Sequence, residues 1–125
     1  MNVVDSSGWL EYFAKGPNTT FFKPVIHNTE ALLVPTICLY EVYKRIAAQR
    51  DEEEALSAIA WMATGEVVDL NQEIAIQAAD FSREHKLAMA DSIIYATARA
   101  FGATLWTQDA HFSGLEGVEF IEKRQ

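Results

Sequence analysis

Short apolar runs bounded by turn residues alternate along this 125-residue chain with longer stretches of helical periodicity. Residues 2–5 and 31–34 read as strands, the second ended by Pro35, and further strands are predicted at 67–70, 104–106 and 118–121. Helices are predicted between them. A short one spans 8–14, before the break at Gly16 and Pro17, and another spans 20–29, made irregular by Pro24. Thr36 is placed to cap a helix running to about Arg50. The acidic run 51–54 suits the first turn of the next, which reaches Ala63 before the stop at Gly65. Asn71 caps a helix to about His85, and 90–101 is a last helix ended by Gly102. Strands alternating with helices predict an α/β fold around a parallel sheet, and continuous apolar runs fit strands covered on both faces.

Four acidic residues stand out against this pattern: Asp5 in Val-Val-Asp-Ser-Ser, Glu41 in Leu-Tyr-Glu-Val, Asp91 in Met-Ala-Asp-Ser and Asp109 in Thr-Gln-Asp. In open α/β sheets, ligands bind beyond the carboxyl ends of strands where the strand order reverses. Asp5 closes the first strand and Asp109 lies just past the fourth, so both reach one crevice if those strands are neighbours. Asp91 opens the helix leading into the fourth strand, and Glu41 sits on the second turn of the helix after the second. Each also has an ordinary structural role open to it. Asp5 and Asp91 are good helix caps, Asp109 suits a turn, and Glu41 is spaced i,i+4 from Arg45 for a surface ion pair. Gathered together, carboxylates make an oxygen site for a hard divalent cation. His111, two after Asp109, reads as an exposed turn residue or a further ligand.

Composition narrows the picture. The length suits a single domain over 1–125, with half the residues hydrophobic. No apolar stretch approaches a membrane span, and the N-terminus lacks a cationic segment, so a cytoplasmic location is expected. The lone Cys38 excludes an internal disulfide. A net charge of −8 argues against nucleic-acid binding by bulk electrostatics. Either a cationic partner or a bound divalent metal then offsets the charge. Local cations that are candidates to meet phosphates are Lys44, Arg45 and Arg50 after Glu41, and Arg83 and Lys86 before Asp91; otherwise these form solvated helix faces.

The four motifs, in this order and spread over essentially the whole chain, resemble the PIN-domain nucleases and in particular the VapC-type toxins of toxin–antitoxin pairs. The resemblance implies a three-layer α/β/α fold with a central parallel sheet in the order 3-2-1-4-5. The family's acids correspond to Asp5, Glu41, Asp91 and Asp109, and its hydroxyl positions to Ser6 and Thr107, which would hydrogen-bond the carboxylates or ligand water. It further implies Mg²⁺- or Mn²⁺-dependent hydrolysis of an RNA phosphodiester. Asp5, Asp91 and Asp109 would be the main metal ligands, with Glu41 acting directly or through water. The implied partners are a small antitoxin whose basic segment blocks the acidic crevice, a transfer or ribosomal RNA substrate, and a second copy of the chain. Trp9, Tyr12 and Trp61 are candidates for that dimer face, with core packing as the ordinary alternative for each.

Two rival readings differ in class. A phosphatase of the haloacid dehalogenase type also begins with an Asp after a first strand, but it needs a second Asp where this chain has Ser7. A PIN fold without catalysis, serving only to hold a protein partner, is the other.

Overall fold

The structure, a computed structural model, describes residues 1–124. Its strands are β1 (Asn2–Val4), β2 (Leu32–Pro35), β3 (Glu66–Val68), β4 (Thr104–Thr107) and β5 (Val118–Phe120). Its helices are α1 (Ser6–Phe13), α2 (Thr19–His27), α3 (Thr36–Gln49), α4 (Glu52–Met62), α5 (Gln72–His85) and α6 (Met89–Ala100). One-turn 3-10 segments at Thr29–Ala31 and Ala110–Phe112 complete it. All strand pairs are parallel, as the pattern predicts, and the order is β3-β2-β1-β4-β5, the PIN-like α/β/α arrangement that the resemblance implies. No described helix is long and apolar enough to cross a membrane.

The central strands are apolar because helices cover them on both sides. Val3, Val4, Leu33, Val34 and Leu105 are all essentially inaccessible. The edge strands lack that cover, and so carry Glu66 and Glu119 among exposed or half-buried neighbours. β3 lies at 66–68 rather than at the expected 67–70, because its partner β2 ends at Pro35, which pairs with Val68. Cys38 is buried and free, as expected.

Two cap assignments are corrected. Thr36 is the first helical residue of α3 and Pro35 takes the cap position, with no side-chain hydrogen bond there; proline's fixed φ suits a helix entry. Asp91 does not cap α6, which begins three residues earlier than a cap at Asp91 would require, after Ala88.

Glycine is required in the first turn of α1, just after it leaves β1. A Cβ on Gly8 would lie 2.6 Å from Val4 Cγ1 and 2.7 Å from Phe22 Cε1, so α1, β1 and α2 meet too closely for any side chain. Gly8→Ala is expected to destabilise the protein by about 1–3 kcal/mol through overpacking, despite alanine's better helix propensity. Urea unfolding measures it; a variant as stable as the parent would show that Phe22 yields freely.

The C-terminal segment ties into the same region. Buried Asn18 donates to Gln108 Oε1 at 2.9 Å and to the Glu122 carbonyl at 3.1 Å, while Arg124 Nε donates to Asn18 Oδ1 at 2.9 Å. Gln108 directly precedes Asp109, so this network braces the loop that carries the last acid.

Candidate metal centre

The order of the strands places the switch in chain direction between β1 and β4, and the register fixes what meets there. Val4 pairs with Trp106, so the next residues along, Asp5 and Thr107, stand side by side just where the sheet ends. Thr107 Oγ1 donates to Asp5 Oδ2 at 2.7 Å and accepts from the Asp109 backbone N–H at 2.8 Å. One buried hydroxyl therefore couples the acid of β1 to the acid beyond β4.

Asp5 combines the two roles that the sequence left open. It is the N-cap of α1, its Oδ1 accepting from Gly8 N at 3.0 Å, and it also lines the crevice. Ser7 Oγ adds hydrogen bonds of 2.8 and 2.9 Å to its two oxygens. Ser7 was not among the expected site residues, although a second hydroxyl directly after Asp-Ser was the signal for it. Ser6 turns the other way and donates to Glu41 Oε1 at 2.7 Å. That bond answers the question about Glu41. Among the described residues no ion pair joins it to Arg45, because its carboxylate points inward to α1.

Asp5, Glu41, Asp91 and Asp109 thus all line one crevice of about 480 Å³, brought there by β1, α3, α6 and the loop after β4. At its rim Asp91 and Asp109 meet His111, each of the three offering a ligand atom within 4.8 Å of the others. His111 Nδ1 lies 2.7 Å from Asp109 Oδ1, and its backbone N–H donates to the same oxygen at 2.9 Å. The histidine is exposed, as a turn residue should be, yet it meets the site. Lys44 and Arg45 also line the crevice, whereas Arg50 pairs with Glu54 at 3.3 Å and Arg83 with Asp80 at 3.5 Å, both elsewhere.

The electrostatics are those of an unneutralised acid cluster. No Lys or Arg among the described residues lies within ion-pairing distance of the four acids. Burial pushes the Asp5 carboxyl up to about 7, although Thr107, Gly8 and Ser7 pull it down; the charge of Asp109 adds to the rise. Asp91 is pushed up to about 6, by burial first and then by Asp109 and Glu41, with His111 opposing. An all-carboxylate donor set with one imidazole beside it fits Mg²⁺ or Mn²⁺, hard cations that take oxygen ligands and tolerate an occasional nitrogen.

The aromatic residues divide differently from expectation. Trp9 is wholly buried and stacks on Phe13 at 5.7 Å, so it belongs to the core and to no dimer face. Trp61 is 36% exposed and stacks on His27 at 5.6 Å. Half-buried Tyr12 reaches the surface beside it, its ring 6.0 Å from Trp61.

Solved structures share this architecture. A toxin–antitoxin complex from Klebsiella pneumoniae superposes with a TM-score of 0.78 at 23% identity, covering 95% of this chain and 96% of that one. VapC20 of Mycobacterium tuberculosis, described as a sarcin–ricin loop cleaving toxin, gives 0.78 at 18% identity over 95% and 98%. VapBC2 of Rickettsia felis, bound to a promoter DNA fragment, gives 0.74 at 16% over 97% of each chain. No curated protein matches the chain in sequence. The family model described as PIN domain matches residues 3–118, the span that holds β2 to β4, most of β1, the start of β5 and all four acids; the chain belongs to the PIN-domain family.

Proposed function

We propose that residues 1–125 act as one PIN domain that hydrolyses RNA phosphodiesters as the toxin of a toxin–antitoxin pair, using Mg²⁺ or Mn²⁺. The observation that carries this reading is the convergence of four acids from four elements on one crevice at the sheet's switch point, with no Lys or Arg among the described residues paired to any of them.

Asp91 and Asp109 present open carboxylates, and with Asp5 they are the residues proposed to hold the cation; Glu41 contributes directly or through water. When bound, the cation lowers the pKa of water and offsets charge developing on phosphoryl oxygens. The surrounding groups fix the ligands. Thr107, Ser7 and the Gly8 N–H hold Asp5 in one orientation, Ser6 holds Glu41, and His111 holds Asp109. Such outer partners matter because a carboxylate that need not reorganise keeps its geometry as charge moves.

Relatives of the same fold supply the biological setting. One is described as cleaving the sarcin–ricin loop, and others are solved as toxin–antitoxin complexes; a structured cellular RNA, of the ribosomal or transfer class, and an antitoxin are proposed here by analogy. A groove of about 790 Å³ shares Ser7, Leu10 and Arg45 with the acid crevice and extends to Phe13 and Trp61. We place the blocking segment of the antitoxin there. Its basic residues would then reach the acids, which accounts for the −8 charge. The expected dimer loses Trp9 as a contact, and Trp61 is better used at this groove.

The test is cleavage of total cellular RNA by purified, partner-free protein with Mn²⁺ or Mg²⁺, read by sequencing new 5′ ends. Discrete cuts that vanish with EDTA are expected. Folded protein that makes no cuts in either metal would overturn the nuclease and leave a module that holds a protein partner.

A further inference from the structure

Helix α3 presents more than Glu41 to the crevice. Tyr40, Lys44, Arg45 and Ala48 line it too, and their spacing puts them with Glu41 along one face of the helix. Tyr40 is 59% exposed, and its hydroxyl has no hydrogen-bond partner among the described residues. Lys44 Nζ sits 5.6 Å from the centre of its ring. Arg45 makes no ion pair among the described residues, although Glu41 lies one turn before it.

These facts are hard to explain by stability. A large aromatic ring at the mouth of a polar crevice contributes little to the core, and two unpaired cations beside four acids would ordinarily pair with them. The combination of an exposed ring with flanking cations is what single-stranded nucleic acid needs: a surface for a base and charges for its phosphates. The lysine ammonium lies over the ring, and the residue as a whole stays largely exposed.

Resting on the nuclease reading of the crevice, we propose that Tyr40, Lys44 and Arg45 form the substrate-holding edge of the site, with Tyr40 stacking an unpaired base beside the scissile phosphate and the two cations gripping neighbouring phosphates. The acids repel the RNA backbone unless metal is present, so this edge gives the strand its first hold. It also sets the substrate class. A base inside a helix has no free face for the ring, so the cut falls in a loop, bulge or open strand.

The experiment uses a short synthetic RNA spanning a cut mapped in total RNA, with the full chain and its Tyr40→Ala, Tyr40→Phe, Lys44→Ala and Arg45→Ala variants. Tyr40→Ala is expected to raise KM roughly 5- to 100-fold with kcat little changed, the scale of one lost base stack, while Tyr40→Phe stays near the parent. Each cation variant should raise KM and flatten the dependence of log kcat/KM on log salt by roughly 0.7, as for one lost phosphate contact on a single strand. The same RNA closed into a duplex should compete poorly. Unchanged KM in Tyr40→Ala, from a parent that cleaves, overturns this inference and leaves the nuclease intact. A Tyr40→Ala protein that changes sedimenting mass instead of KM assigns the ring to a protein interface and overturns it too. A parent that cuts no RNA removes both readings together.

Discussion

Asp5→Asn protein is expected to lose RNA cleavage by at least about a hundredfold and to keep its fold. A loss of roughly 10²–10³ is the scale of removing one fixed group aimed at transition-state charge, and a metal-holding carboxylate stands in that class. Asparagine is the informative replacement because Asp5 has two jobs. As the N-cap of α1 it accepts from Gly8 N, and asparagine caps about as well. Alanine would forfeit the cap, at about 1 kcal/mol, and strand the Ser7 and Thr107 hydroxyls that now donate to Asp5. Removing the charge has its own effect on stability. The carboxyl is 2% exposed and its pKa is pushed up to about 7, so ionising it costs the metal-free fold on the order of 4 kcal/mol. Some of that returns as strain, since the amide N–H₂ now faces donors. The net expectation in EDTA at pH 8 is a melting temperature equal to or above the parent's, with cleavage gone. An Asp5→Asn protein that cleaves like the parent would sink the metal-site reading; a variant that fails to fold would show that the fold depends on the carboxylate accepting from Ser7 and Thr107.

Such a trade between stability and charge explains the shape of the site. Asp5, the most deeply buried acid, is held by four hydrogen bonds, whereas Asp91 has no donor among the described residues. The first is a fixed wall and the second an open face. His111 occupies the exposed rim, where it steadies Asp109 without closing the crevice.

Much of this was legible from local patterns, and the exceptions share a cause. The apolar run ending at Asp5 gave both the strand and the acid at its end, and Thr107 followed from the resemblance and then from the register of β1 against β4. For Glu41 the local pattern leaves a pairing with Arg45 open beside the site, because i,i+4 spacing is visible in one segment. Its actual partner, Ser6, lies 35 residues away and leaves no mark in that segment. Asp91 looked like a cap because the turn before it, Leu-Ala-Met-Ala, carries no polar capping residue, and the helix in fact starts without one. Trp9 and Trp61 are not told apart by local pattern for a similar reason. A helix of eight residues shows too few turns to reveal which side faces inward, and α1 is clasped by α2 and α3 as well as by the sheet. The brace of Asn18, Gln108 and Arg124 joins segments about a hundred residues apart, and only the fold brings them together.

Divalent metal should stabilise the protein strongly at pH 8 and hardly at all at pH 5. The sign follows from the two raised carboxyls. Asp5 and Asp91 have an ordinary value of 3.8 and are pushed up to about 7 and about 6 in the fold. Between pH 4 and 7 the metal-free folded state therefore binds more protons than the unfolded chain, and its stability falls as pH rises through that window. Asp5 dominates, while Asp91, half in solvent, is screened and adds less. A cation binds the ionised carboxylates, so it competes with those protons and its affinity drops as pH falls below about 7. At a hundred times its Kd, it adds about 2.7 kcal/mol by mass action. Scans with EDTA or millimolar Mn²⁺ at pH 5, 6, 7 and 8 should show two trends. Without metal the melting temperature declines toward pH 8, and the Mn²⁺ increment grows over the same range. Asp91→Asn should flatten the increment without steepening the decline. An increment equal at pH 5 and pH 8 would place the metal away from these two acids. No increment at any pH would mean that the four carboxylates meet for some other purpose than to hold a cation.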